Sequence, residues 1–274
     1  MSWKNIKTFM IALLLIACTV IFVMLLLGGN QEPYTAESLE KSAALMRESG
    51  IILDKDLLKG DFEGMKPYRF TLPRDYPEQV AQKLVNGNIT DVFTVPDGVE
   101  LRSDSGEILY VGNDFTVRYS CPDRSNSVTQ EDLEQRLLPL TESPKFGISR
   151  KDGDDPQKAI YVQTVGNYPI PENEMICSFA DGKLVSMEGK WCFPDKCSTF
   201  SAQLRDYLNI MFTERERISS EAPENVSKKD LTVESLEKCY GIENTDSKNT
   251  FVLVPSLSII YKEGEQVIHS AVAG

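Results

Sequence analysis

Residues 175–191 read MICSFADGKLVSMEGKW. The Asp181-Gly182 pair is a strong hairpin signal, because the favoured two-residue loops need positive φ, which this dipeptide tolerates. It lies within a stretch of strand character running over 159–193. A second β-rich stretch covers 89–121, with turn signals at Asp97-Gly98 and Ser105-Gly106. Further upstream Tyr68, Phe70 and Leu72 alternate as in a half-buried strand. Both long stretches therefore point to antiparallel sheets.

Helical patterns sit between the sheets. Thr35 is a plausible N-cap for 35–49, where Leu39, Ala43 and Met46 share a face and Gly50 ends the run. Pro77 opens a short helix to about Val85. Residues 129–138 read as a helix closed by Pro139, and 199–217 as one with Leu204, Leu208 and Met211 on one face. A short helix is expected over 232–240, stopped by Gly241, before a final hairpin turning at Glu263-Gly264 between 251–262 and 266–272. Residues 141–157, rich in Ser, Pro, Asp, Gly and Lys, mark an internal boundary.

A weak internal repeat supports two similar halves. Asp104-Ser-Gly106-Glu-Ile108 is followed by Gly112 and Phe115, and Asp181-Gly182-Lys-Leu184 by Gly189 and Trp191. In each a turn glycine precedes an aromatic by nine residues. The expected class is α+β: an anchoring segment over 1–30, then two antiparallel-sheet-plus-helix lobes over 31–150 and 151–274.

The anchor is residues 9–27, FMIALLLIACTVIFVMLLL, 19 residues without a charge. A helix of roughly 20 apolar residues spans a ~30 Å hydrocarbon core. Trp3, Lys4 and Lys7 precede the run, and Glu32 and Glu37 follow it. The positive-inside bias places the N-terminus in the cytoplasm and the rest outside, with one membrane helix over about 8–27. A cleaved signal peptide fits less well, because the run is long and no small-x-small site follows it. Leu15-Ile16-Ala17-Cys18 has the shape of a lipobox, but lipidation would leave nine further apolar residues at the new terminus.

All 41 acidic residues lie after residue 27 with 27 of the 29 basic ones, so the outer part carries −14. That balance argues against nucleic acid, whose binding needs phosphate neutralisation. Five cysteines follow the anchor: Cys121, Cys177, Cys192, Cys197 and Cys239. Cys192 and Cys197 flank a Phe-Pro-Asp-Lys turn; they could pair, or stay free. No C-x-x-C exists, so a metal site is not expected. The single histidine, His269, lies in alternating sequence near the C-terminus and reads as an ordinary strand residue. No G-x-S-x-G, H-E-x-x-H, Walker A or G-x-G-x-x-G motif is present, which favours binding over catalysis.

Several motifs in order carry a resemblance. Met1-Ser-Trp3-Lys-Asn-Ile6-Lys7-Thr8 runs into one membrane helix; Phe179-Ala-Asp181-Gly182 leads to Gly189-Lys-Trp191; Lys238-Cys-Tyr240-Gly241 precedes Leu253-Val-Pro255, Gly264, Ala271 and Gly274. The chain resembles the YycI/YycH-type regulatory proteins of Gram-positive bacteria. Leu257 stands where that family commonly has a tryptophan after the proline, and the N-terminal half matches less well. The resemblance implies PepSY-like lobes, no enzymatic activity and no cofactor. It also implies a sensor histidine kinase of the WalK (YycG) type and a YycH-like paralogue as membrane partners. Ala17, Cys18 and Thr19 form a narrow zone of small residues where a partner helix could approach. Trp3 and Lys7 would sit at the interface.

If the helix itself is the anchor, Cys18→Ser should leave the protein in the membrane fraction. Protease added to wall-stripped cells should digest the segment beyond residue 31 and spare an epitope placed before Trp3. Release of the Cys18→Ser chain into the medium would point to lipidation instead.

Overall fold

The computed structural model describes residues 34–123, 127–139, 141, 144–151, 155, 157–201, 206–221, 231–245, 249–261 and 268–270. Helix α1 (Ala36–Glu48) starts where expected: the Thr35 hydroxyl accepts the Ser38 amide at 3.2 Å, and Leu39 and Met46 are buried. Strand β1 (Ile51–Ile52), a 3-10 turn (Lys55–Lys59) and β2 (Tyr68–Thr71) follow. Helix α2 (Tyr76–Leu84) has Pro77 in its first turn and buries Tyr76, Val80, Ala81 and Leu84. Four strands come next: β3 (Ile89–Val95), β4 (Gly98–Ser103), β5 (Ile108–Gly112) and β6 (Thr116–Ser120). Helix α3 (Gln130–Leu137), capped by Thr129, leads into β7 (Phe146–Lys151), β8 (Lys158–Val165), β9 (Tyr168–Ala180) and β10 (Lys183–Lys190). The chain closes with β11 (Cys197–Thr199), α4 (Tyr207–Glu221), β12 (Leu231–Asn244), β13 (Thr250–Tyr261) and β14 (Ile268–Ser270).

The fold is α+β, with two sheets and four helices among the described residues. The eight-stranded sheet has the order β3-β4-β5-β6-β10-β9-β8-β7. Each half is a helix followed by a four-stranded meander, and the two meanders join where β6 pairs antiparallel with β10. The second sheet, β1-β12-β13-β2-β11 with β14 beside β13, draws its strands from both ends of the chain.

Three expectations are corrected. Residues 232–240 are strand, not helix: β12 pairs along its length with β13, and Gly241 lies inside the strand. The helix expected to begin at Thr199 begins at Tyr207, because Cys197–Thr199 pairs with β2; Leu204 lies outside the described residues. The division between sheets does not fall at residue 150, because the β6–β10 pairing runs one sheet across it.

The repeat holds for topology and not for the matched residues. The Asp104–Gly106 turn joins the second and third strands of its meander, whereas Asp181-Gly182 joins the third and fourth. Asp181 (φ 53°) and Gly182 (φ 73°) both occupy the left-handed region, the geometry of a type I′ hairpin. Phe115 and Trp191, placed as equivalents in the sequence, instead meet at the seam: the Trp191 amide donates to the Phe115 carbonyl at 2.9 Å. The final hairpin turn at Glu263-Gly264 lies outside the described residues.

One face of the large sheet is packed. Leu101, Leu109, Tyr119, Met187, Cys177 and Ala159 face each other strand to strand, and all are buried beneath α2 and α3. Trp191 is wholly buried there, and its indole N–H donates to the Leu137 carbonyl at the end of α3 at 2.8 Å. Gly189 is required for that packing: a Cβ at this position would lie 2.0 Å from the Glu174 carbonyl oxygen on β9. A separate core forms where α1, α4 and the 3-10 turn meet the second sheet, around Leu39, Met46, Leu58, Leu208, Met211 and Ile259.

Trp191→Phe removes the indole donor and leaves a buried carbonyl unpaired, so urea denaturation should show a loss of about 2 kcal/mol. Gly189→Ala should cost at least as much, because the obstacle is backbone. Wild-type stability in either variant would show that the seam tolerates looser packing.

Candidate functional site

The opposite face of the eight-stranded sheet is open along a rung that crosses every strand. Phe93, Glu100, Tyr110, Arg118, Glu188, Ile176, Ile160 and Lys151 face one another in that order. Each is exposed or half-exposed. Alternation along the strands explains the contrast, since neighbouring residues point to opposite faces. Phe93 leaves 45% of its surface exposed and Ile176 48%.

The polar groups on this face hold one another. The Arg118 guanidinium lies 4.9 Å from the centre of the Tyr110 ring and 3.3 Å from Glu188. Arg102 covers Phe93 at 5.0 Å and contacts Glu100 at 2.8 Å. Lys151 meets Glu174 at 2.8 Å. Such exposed pairs add little stability, typically under about 1 kcal/mol. They do keep long side chains in register around the apolar positions. A shallow depression of about 400 Å³ lies between Arg118, Glu174, Ile176 and Glu188.

On the helix side a polar groove of about 500 Å³ runs between α2 and α3, lined by Gln82, Lys83, Asn86, Asp132, Gln135 and Arg136. The Lys83 ammonium donates to the Leu138 carbonyl at 2.8 Å and lies 5.6 Å from the centre of the Phe193 ring. Burial pulls its pKa below the ordinary lysine value. Arg136 donates to the Lys83 carbonyl at 3.2 Å and the Asn86 side-chain oxygen at 2.7 Å. Amides and cations of this kind suit a polar, extended ligand.

Glu107 is a fully buried carboxylate with a complete shell of donors. It accepts from the Ser105 hydroxyl at 2.6 Å, the Tyr119 hydroxyl at 2.7 Å, the Ser103 hydroxyl at 3.3 Å, and the Gly87 and Asn86 amides at 2.9 and 3.2 Å. Burial pushes its pKa up, but the hydrogen bonds from Ser105, Gly87, Tyr119 and Asn86 outweigh it, and the net direction is down. Burial and the bond to Glu107 hold the Tyr119 hydroxyl protonated. Glu107 thus clamps the loop after α2 to the sheet.

The five described cysteines are free thiols, Cys192 and Cys197 included. Burial pushes Cys177, Cys197 and Cys239 up to about 12 and raises Cys121 and Cys192 as well. These are packing groups at neutral pH. His269 lies in β14, where its backbone pairs with Ser258. Among the described residues, no three His, Cys, Asp or Glu side chains cluster as a metal site. No helix among them is long and apolar enough to cross a membrane. The residues singled out in the sequence, Trp3, Lys7, Ala17, Cys18 and Thr19, lie outside the described residues, as does the whole apolar run.

Sequence reading missed both surfaces. The open rung is invisible until the strand register is known, since its members come from eight separate segments. The groove had a fainter trace in the run of polar residues on α2 and α3 opposite their buried faces.

No family model matches the chain, and no curated protein is significantly similar to it. Among solved structures, the chain is similar to an uncharacterized protein from Eubacterium rectale ATCC 33656 known from a crystal structure. The identity is 11%, the match covers 76% of this chain and 82% of that one, and the TM-score is 0.36.

Glu107→Gln tests the buried clamp. A folded-state pKa below the ordinary value near 4.5 means that Glu107 contributes stability above that pH and loses it as pH falls through the folded value. At pH 7 the variant should be less stable by about 1–3 kcal/mol. Its denaturation midpoint should also fall less steeply between about pH 5 and 3 than that of the wild type. Equal acid sensitivity in the two proteins would remove Glu107 from the account.

Proposed function

We propose that this chain is a non-enzymatic membrane-anchored regulator of the YycI/YycH type that modulates a WalK-like sensor histidine kinase and so cell-wall homeostasis. The observation that carries the reading is the eight-strand rung with exposed Phe93 and Ile176, a broad surface suited to another protein. The order of the sequence motifs, from Trp3-Lys-Asn-Ile6 to Gly189-Lys-Trp191, supports the family.

In this reading the protein sits in the cell membrane as a single-pass chain, with the N-terminus cytoplasmic and the sheets outside. A regulator without chemistry acts by binding one state of its target more tightly than another. Two contacts serve that purpose: the open sheet face outside, and the membrane helix at Ala17, Cys18 and Thr19, where small side chains allow close helix approach. A YycH-like paralogue would belong to the same assembly.

The polar groove between α2 and α3 favours a second reading, a tethered envelope module that binds a peptide, a protease or a wall fragment with no kinase partner. Crosslinking from the membrane helix in living cells separates the two. The kinase reading expects a kinase adduct; the tethered-module reading expects none.

Replacing residues 8–27 with an unrelated membrane helix should keep the domain outside and change kinase output. Ala17→Leu should weaken the association by about 1 kcal/mol, the order found for contacts between membrane helices. Unchanged output from the swapped helix would assign the interaction to the outer domain alone.

A further inference from the structure

The loop between α2 and β3 holds Asn86-Gly87, the one Asn-Gly pair in the chain. This dipeptide is prone to react with itself. The glycine nitrogen attacks the asparagine side-chain amide, and glycine has no Cβ to crowd the approach. Asparagine counts among the thermolabile residues for this kind of reason. The packing nevertheless calls for glycine here. A Cβ at Gly87 would run into the Ser105 hydroxyl and lie 2.6 Å from an Asp104 carboxylate oxygen. Both side chains are already engaged, Ser105 with Glu107 and Asp104 with Asn88, so neither moves aside without loss. The loop lies directly on the turn between β4 and β5, and a reactive link is built into it.

Three successive amides of the loop are held by carboxylates. Those of Asn86 and Gly87 donate to Glu107 at 3.2 and 2.9 Å, and that of Asn88 donates to Asp104 at 2.9 Å. Attack on the Asn86 side chain uses up the Gly87 amide hydrogen, because the nitrogen of the ring so formed carries none. The bond to Glu107 must therefore break before the ring closes. A carboxylate 2.9 Å from that nitrogen also opposes the loss of its proton. The other end of the reaction is prepared. Arg136 donates to the Asn86 Oδ1 at 2.7 Å, where a guanidinium stabilises the oxyanion that forms as nitrogen adds. The electrophile is primed and the nucleophile is withheld.

We infer that Asn86 is a latent modification site, shut while Glu107 holds the Gly87 amide and converted to aspartate or isoaspartate when that clamp opens. In the first step the Gly87 nitrogen bonds to the Asn86 Cγ and the Cγ–Nδ2 bond breaks. Nδ2 leaves as ammonia, carrying the amide proton. Water then opens the succinimide at either carbonyl. The new carboxylate at position 86 faces Arg136 and pairs with it. The groove between α2 and α3, which sets Lys83 and Arg136 against Asp132 alone, then loses its surplus positive charge. The loss of ammonia is one-way, so each chain records whether its loop has opened. Local opening is more frequent than global unfolding, which makes the record specific to the clamp.

Peptide mapping of the full-length chain tests this, with asparagine, aspartate and isoaspartate at position 86 resolved by mass and retention. At physiological temperature and pH, the folded wild type should convert at least about tenfold more slowly than the same chain in guanidinium, because the loop must open first. Glu107→Gln keeps the shape, removes the negative charge and weakens the hold on Gly87. It should convert about tenfold faster than the folded wild type. Tyr119→Phe frees Glu107 from one anchor; it should also convert faster, and it serves as the readout should Glu107→Gln misfold. Trp191→Phe loses stability elsewhere and keeps the clamp, so its conversion should stay slow. A folded wild type that converts as fast as the denatured chain would overturn the proposal. So would folded Glu107→Gln or Tyr119→Phe chains as slow as the wild type, or a Trp191→Phe chain as fast as Glu107→Gln.

Discussion

The pairing of Thr116–Ser120 with Ser186–Lys190 holds the molecule together. Each meander alone would end in an exposed edge at this point and would cover only half of the helix layer. Joined, they form a single floor on which α2 and α3 lie side by side. The Glu174 carbonyl comes so near Gly189 that no side chain fits, and Trp191 fills the space below α3. Phe115, at φ 68°, turns the chain into β6 and contributes its carbonyl to the same seam. The open rung exists only because this seam aligns the eight strands.

Local signals were legible in the sequence and long-range ones were not. Thr35 announced α1 because capping acts over three residues. Asp181-Gly182 announced its hairpin because the turn demands two residues with positive φ. The second sheet's longest strand was misread for a physical reason. A register shift between Val233 and Ser235 moves the face, and farther along Cys239 and Tyr240 are buried on opposite faces, so Val233, Leu236, Cys239 and Tyr240 recur at helical spacing although the backbone is extended. Cys197–Thr199 was hidden because its partner, Tyr68–Phe70, lies far away in the chain. The open rung shows the limit most clearly. Glu100, Arg118, Glu188 and Lys151 look like ordinary surface charges until register sets them in one row with Phe93 and Ile176.

The two faces of the large sheet divide the chemistry between them. Below it, the buried polar side chains Glu107, Gln163 and Asn173 are hydrogen-bonded. Glu107 gathers five donors, and Gln163 accepts from Asn173 at 2.6 Å while donating to the Cys192 carbonyl at 2.7 Å. Such networks cost little once complete and specify one arrangement of loops and strands. Above it, the charges are paired but wet, and the apolar side chains stand between them. The side chains of this face are therefore already ordered, with little conformational entropy left to lose.

The second sheet sets an order of events for the growing chain. Ile51 pairs with Leu231, and Phe70 with Phe251. A chain made from its N-terminus must therefore hold α1, β1 and β2 unfinished until its last strands emerge. The strands of the eight-stranded sheet, by contrast, run consecutively from β3 to β10 and can close earlier. During that interval the apolar faces of α1 and β2 have no cover, and this is when the nascent protein most needs protection from its neighbours.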